Sequence, residues 1–278
     1  MEHTRRDAGV PCEMNDRTIA SKVPAITLGF WIIKILATTL GETGGDTITM
    51  SWLGETTSTA SGYGYLIGTV LVAAPFAILV AAQIAARKFH PYLYWTAIVA
   101  STMLGTTLAD LADRSLGIGY AGGTAVLAVC ALSTLALWHR VEGTIAVNTV
   151  NTPRVEIFYW AAITFSQTLG TALGDWMADD AGVGFLGGAL VFAAALAVVA
   201  LLYFRTRVSR VALFWAAFIL TRPLGATVGD FLDKPHGEGG LALSRAIASL
   251  VLIATIVALI RLLPQKPGTH DLAAEEAA

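Results

Sequence analysis

Four segments of the chain can be written over one another residue for residue: WIIKILATTLGETGGD from Trp31, WTAIVASTMLGTTLAD from Trp95, WAAITFSQTLGTALGD from Trp160 and WAAFILTRPLGATVGD from Trp215. Each reads Trp, eight residues, Leu-Gly, three residues, Gly or Ala, then Asp. Shorter echoes follow as GYLIG from Gly64, GYAGG from Gly119, GFLGG from Gly184 and GLALS from Gly240. Self-similarity at a fixed period marks a repeated supersecondary unit. The chain is therefore predicted to be four copies of one helical hairpin.

The repeats lie in eight apolar runs, approximately 23–46, 62–86, 93–110, 119–138, 155–175, 182–204, 211–230 and 241–263. Such lengths match the ~20 residues of helix that cross ~30 Å of hydrocarbon. The runs are continuously apolar, not alternating, which excludes the strands of a membrane barrel. With 55 % hydrophobic and 14 % charged residues and a mean hydropathy of +0.65, the chain is far more apolar than a soluble domain. The expected fold is an all-α membrane protein of eight transmembrane helices, built from four parallel two-helix repeats. The repeats are placed at about 26–88, 89–153, 154–209 and 210–263, between a polar segment 1–22 and a disordered tail 264–278. Because 22 polar residues of mixed charge precede the first run, a cleaved signal peptide is not expected.

Lys22, Arg87, Lys88, Arg140, Arg154, Arg205, Arg207, Arg210, Arg261 and Lys266 fall at one set of helix ends, and the opposite loops contribute Arg114 and Lys234. This asymmetry predicts cytoplasmic N and C termini, with the aspartate ends outside. A net charge of −2 without a basic cluster excludes nucleic acid as a partner. Cys12 and Cys130 are too few for a disulfide framework or a thiolate metal site.

A tandem two-helix unit with one aligned tryptophan, four times over, resembles the domain-of-unknown-function 347 repeat family across about residues 26–263. The resemblance implies an eight-helix bacterial inner-membrane protein with no settled activity. A fainter likeness is to small cation/proton exchangers whose repeats carry Glu-x-Gly-Asp-Lys-Thr, echoed by Glu42, Gly45, Asp46 and Thr47. Here the spacing departs by one residue, the Lys is missing, and only the first repeat has the Glu.

Gly41 and Gly45, Gly105 and Ala109, Gly170 and Gly174, and Gly225 and Gly229 form small-xxx-small pairs, which let helix backbones approach closely. Asp46, Asp110, Asp175 and Asp230 each follow the second small residue and are expected to face neighbouring helices. Like charges brought together must bind a cation, take up protons or pair with Lys or Arg. With Glu42 they form the predicted metal-ligating set, and Thr43, Thr107 and Thr227 are expected to add hydroxyl oxygens. Such hard donors suit Mg²⁺, Mn²⁺ or Ca²⁺. The alternative is that the aspartates lie at the outer interface and cap helices or tie loops. Asp113, Asp179, Asp180 and Asp233 are read as solvated loop charges.

Lys34 and Arg222 stand ~17 Å into the first and seventh helices, near the midplane, and should face the bundle. Their repeat equivalents are Ile98, Ile163 and Phe218 for Lys34, and Thr38, Thr102 and Gln167 for Arg222. These polar positions are read as a charge-compensating pathway. Five acids against two cations leave three formal negative charges, favouring a cationic substrate. Pro223 is expected to kink the seventh helix. The aligned tryptophans are read as interfacial anchors and packing residues.

The resulting expectation is a small transporter or channel for a hard cation, with or without proton coupling. The alternative is a non-transporting membrane scaffold or sensor. No nucleophile-and-base constellation stands at a recognisable spacing, and His3, His90, His139, His236 and His270 lie in tails, loops or helix ends, so no enzyme activity is expected. No cofactor is expected, since a bound metal would be substrate. The expected partners are the bilayer and a small cation, and a homo-oligomer is compatible with the sequence.

Overall fold

A computed structural model describes residues 18–57, 60 and 62–271. Cys12 and His3 lie outside the described residues. Eight helices follow one another: α1 (Leu28–Asp46), α2 (Gly64–Ala85), α3 (Pro91–Asp110), α4 (Tyr120–Glu142), α5 (Pro153–Asp175), α6 (Gly184–Arg205), α7 (Arg210–Asp233) and α8 (Arg245–Leu262). The odd helices start on clear caps. Thr27, His90, Thr152 and Ser209 each accept the backbone N–H three residues on, and Pro91 and Pro153 occupy the first turn where no N–H is needed. After their aspartates, α1, α3 and α5 widen into π-type turns, Thr47–Trp52, Leu111–Ser115 and Trp176–Asp180. Helix α7 instead continues through Pro223 to Asp233.

The odd helices form a closed inner ring in the order α1, α3, α5, α7, with α7 returning to α1. The glycines explain the closure. A Cβ on Gly41 would collide with Thr102, one on Gly170 with Arg222 and one on Gly225 with Thr38, while one on Gly105 would stand 2.8 Å from the backbone carbon of Gln167. Each Leu-Gly glycine thus receives the equivalent residue of the next odd helix around the ring. The second small residues repeat the pattern one turn on, Gly45 against Thr106, Gly174 against Ala226 and Gly229 against Glu42. These glycines stand at the contacts between neighbouring odd helices.

Each even helix packs on the odd helix of the following repeat: α2 on α3, α4 on α5, α6 on α7, and α8 back on α1. The hairpin read from the sequence is therefore a unit of chain order, and its packing partner comes from the neighbouring repeat. The even helices present apolar residues outward, among them Leu66, Val70, Val129, Leu190, Leu250 and Val251. Helices α2, α4, α6, α7 and α8 are long and apolar enough to cross a membrane. Helices α1, α3 and α5 carry buried threonines and acids, which lower their hydropathy without exposing it to lipid.

Two expectations about the ends need correction. The tail 264–278 is not wholly disordered: β2 (Pro267–Asp271) pairs antiparallel with β1 (Thr18–Pro24), so the first apolar run starts as a strand and turns helical only at Leu28. The sheet lies over the tryptophan end of the bundle and brings both ends of the described chain to one side. Lys22, read as a helix-end charge, is buried there. Its Nζ donates to Glu156 Oε1 at 2.5 Å and to the carbonyls of Gln83 and Ile84. Beneath the sheet lies an aromatic core of Phe30, Tyr94, Tyr159 and Phe214 with Trp95, Trp160, Trp215 and Trp138, all buried. The tryptophans are thus packing residues, with Trp31 half-buried at the edge.

Candidate cation site at the aspartate end

Residues four apart on the odd helices stack in layers toward the ring centre, since side chains at i and i+4 share a helix face. Just beyond the aromatic core come Lys34, Ile98, Ile163 and Phe218, all inaccessible to solvent. Among the described residues the Lys34 ammonium has no hydrogen-bond partner, and it lies 4.2 Å from the centre of the Phe218 ring. It does face the bundle, but it balances no carboxylate by direct contact.

The next layer is Thr38, Thr102, Gln167 and Arg222. Thr38 and Thr102 donate across the ring to the carbonyls of Thr221 and Ala37, both at 3.0 Å, stitching α1 to α7 and α3 to α1. The Gln167 amide is fully buried, and neither of its polar atoms is hydrogen-bonded. Arg222 reaches one layer up. Its Nη2 donates to Glu42 Oε2 at 2.9 Å, Thr106 Oγ1 at 2.6 Å and Thr171 Oγ1 at 2.5 Å.

The four repeat aspartates follow, each at most 4 % exposed. Carboxylate oxygens of Glu42, Asp175 and Asp230 lie within 4.8 Å of one another, and those of Asp46, Asp230 and Asp233 form a second such group. Asp230 belongs to both. Asp110 joins neither group and pairs with Arg114 at 2.7 Å. All four are buried within the bundle.

Several sequence readings change here. Arg114 and Lys234, placed in outer loops, fold back into the acidic layer. Lys234 Nζ stands 2.9 Å from Asp46 and 3.0 Å from Asp230. Burial works against its charge, yet Asp230, Asp46 and Asp233 outweigh that effect and raise the pKa of Lys234, just past the end of α7, well above the ordinary ammonium value. The surplus of three negative charges is accordingly reduced, and among the described residues Asp175 is the one repeat aspartate without an ion pair. Asp113 and Asp233 are buried, not solvated. Asp113 packs against Gly123, and Asp233 has Arg245 at 3.5 Å. Asp179 and Asp180 are exposed as expected.

The hydroxyls expected as ligands point elsewhere. Thr43 meets Ser249 of α8 at 2.9 Å, Thr227 bonds its own helix and faces Gly188 of α6, and the Thr107 hydroxyl donates to the Leu104 carbonyl of its own helix at 3.2 Å. One position earlier in the repeat, Thr106 and Thr171 face the centre instead. A helix turns about 100° per residue, so the Leu-Gly register that defines the ring contact also separates these two rows. Arg114 and Lys234 also carried a readable signal, since both stand at i+4 from a repeat aspartate at a helix end.

A cavity of about 880 Å³ opens onto this end, lined among others by Met50, Tyr65, Arg114, Asp179, Asp233, Lys234 and Arg245. Of the clustered acids, Asp233 lies in its wall.

Eight helices in a fourfold tandem arrangement, with lipid-length apolar spans around a polar centre, define a multi-pass helical membrane protein. The chain belongs to the family described as Repeat of Unknown Function (DUF347), matching it over residues 29–89, 93–144, 158–209 and 213–263. No curated protein and no solved structure matches the chain.

Proposed function

We propose that the protein moves a hard cation, of the class of Mn²⁺, Mg²⁺ or Ca²⁺, across the bacterial inner membrane, with the aspartate end outside and both termini in the cytoplasm. In this reading the chain transports and does not catalyse. The observation that carries it is Asp175, a buried carboxylate without an ion pair among the described residues, one of whose oxygens lies within 4.8 Å of an oxygen of Glu42 and one of Asp230. Three carboxylates at that spacing can share one ion with metal–oxygen bonds of ~2.0–2.6 Å. Burial of unpaired negative charge is costly, and a cation relieves it.

Asp233 and Lys234 in the wall of the 880 Å³ cavity support entry from that side. The Lys/Arg asymmetry supports the orientation. Arg222 holds Glu42 through a single oxygen, Oε2, so Glu42 can keep its pair while offering Oε1 to an ion. A second reading, a non-transporting scaffold, draws on the ion pairs of Glu42, Asp46, Asp110 and Asp230, which can serve assembly alone.

Reconstitution into liposomes decides between them. Mn²⁺, Mg²⁺ and Ca²⁺ uptake would be followed with internal indicator dyes for the wild type and Asp175→Asn. Uptake that is saturable and lost in Asp175→Asn is expected. No uptake of any of the three above protein-free vesicles would overturn the carrier reading.

A further inference from the structure

Lys234 sits where an ion would sit. Its ammonium lies between Asp46 and Asp230, at 2.9 and 3.0 Å, in the group of carboxylates completed by Asp233. The cage has more acceptor capacity than Lys234 uses. Among the described residues, Asp46 Oδ1 has no hydrogen-bond partner, nor has either oxygen of Asp233, whose side chain is fully buried and touched by Arg245 only at 3.5 Å. The Met50 thioether, 3.7 Å from Nζ, and the Arg245 guanidinium, 3.9 Å from Asp46 Oδ2, border the cage. Lys234 is also the residue of this cage best placed to leave. It lies beyond the last turn of α7, on the wall of the open cavity, at the end of a flexible four-carbon stem.

We infer that Asp46, Asp230 and Asp233 form a second, outer cation site, and that the Lys234 ammonium is a tethered competitor that an incoming divalent cation must displace. The inference rests on the carrier reading for its role in transport, though the site itself does not depend on it. Asp230, common to both groups, makes the outer cage a step toward the inner one. An ion bound between Asp46 and Asp233 can advance to Glu42 and Asp175 without releasing Asp230. Lys234 then returns to the emptied cage behind it. The ammonium thus keeps the outer carboxylates compensated whenever no ion is there, and it raises the ion concentration needed for entry.

The test counts bound Mn²⁺ by the loss of its free electron paramagnetic resonance signal, using full-length protein in detergent. In Lys234→Met the outer step is expected to tighten on the order of tenfold or more relative to wild type, a factor of ten corresponding to ~1.4 kcal/mol. Wild-type protein supplies an independent arm. Acetylation of Lys234 by an amine-reactive ester, read by mass spectrometry, should be accelerated several-fold by saturating Mn²⁺, while the deeply buried Lys34 shows no change. An outer step equal in both proteins, or absent from both, overturns the inference. So does Lys234 acetylation that Mn²⁺ leaves unchanged or slows, and this arm decides alone if Lys234→Met is not recovered as a monodisperse protein. The Asp175→Asn background separates the two sites. An outer step that persists there while the other Mn²⁺ of the wild type is lost supports both sites, whereas an outer step that is the only Mn²⁺ binding in the wild type as well would sink the inner site and leave the outer one standing. Loss of all Mn²⁺ binding in Asp175→Asn, with no gain in Lys234→Met, does the reverse.

Discussion

Replacing Arg222 by methionine removes the guanidinium that ties four helices together. From α7 its Nη2 reaches Glu42 on α1, Thr106 on α3 and Thr171 on α5, and Nη1 faces the Thr38 carbonyl at 3.4 Å. Deleting one partner of a buried pair costs ~3–5 kcal/mol, because the other charge is left without compensation. The two threonine hydroxyls add less. Thr106 also donates to the Gly41 carbonyl at 3.0 Å and Thr171 to the Gln167 carbonyl at 3.4 Å, so neither is orphaned by the change. At ~2–4 °C per kcal/mol for a chain of this size, thermal unfolding in detergent should fall by roughly 6–20 °C. Adding Glu42→Gln removes the stranded carboxylate and should recover half of that loss or more. The assay is intrinsic tryptophan fluorescence against temperature for the two single variants and the double. A loss below ~1 kcal/mol in Arg222→Met, or a double variant no more stable than Arg222→Met, would refute the argument that this pair holds the ring.

Lys34→Met carries the opposite sign: the ammonium has no acceptor, so the variant should gain stability, offset only by a cation–π contact worth ~0.5–2 kcal/mol. A lowered unfolding temperature would show that Lys34 has a structural partner. Gly105→Ala places a methyl 2.8 Å from the Gln167 backbone carbon, which cannot move aside as a side chain could. It should lose ~1–3 kcal/mol by overpacking, whereas Gly41→Ala, facing the Thr102 side chain as well as its backbone, tests whether every ring contact is equally tight. Equal stability of Gly105→Ala and wild type would contradict the close ring.

What the sequence made legible follows from repetition. Eight helices, the packing glycines and the inward aspartates could be read because each signal is local to one helix and occurs in register four times. Partner choice between helices could not be read. Nothing in GYLIG says that α2 packs on α3 instead of α1, since an apolar face fits either. The terminal sheet was hidden for a similar reason. Its strands are separated by the whole bundle, and Val23 and Pro24 merge into the apolar run that follows. Glu156 escaped notice because it has no equivalent in the other repeats, where Thr27, Pro91 and Val211 stand, and its meaning appears only when Lys22 arrives from the far end of the chain.

The fourfold repeat places an aspartate at every corner of the ring, and departures from the repeat decide which corner stays open. One turn beyond the aspartates the chain has Met50, Arg114, Asp179 and Lys234. On α3 and α7, at opposite corners, this residue is a cation that folds back on its own aspartate, at 2.7 and 3.0 Å, and Lys234 also serves Asp46 on the adjoining α1. The third repeat has an acid there, and Asp175 is left without an ion pair. Asp179→Lys should close that corner. Asp179 is exposed in a π-type turn equivalent to the one that carries Arg114, so the new ammonium can reach Asp175 as Arg114 reaches Asp110. The expected outcome is a gain on the order of 1 kcal/mol in stability together with loss of the inner Mn²⁺ and of any flux, while Asp179→Asn leaves Mn²⁺ binding in place. If Asp179→Lys binds Mn²⁺ as tightly as wild type, the openness of the third corner is not what makes this site.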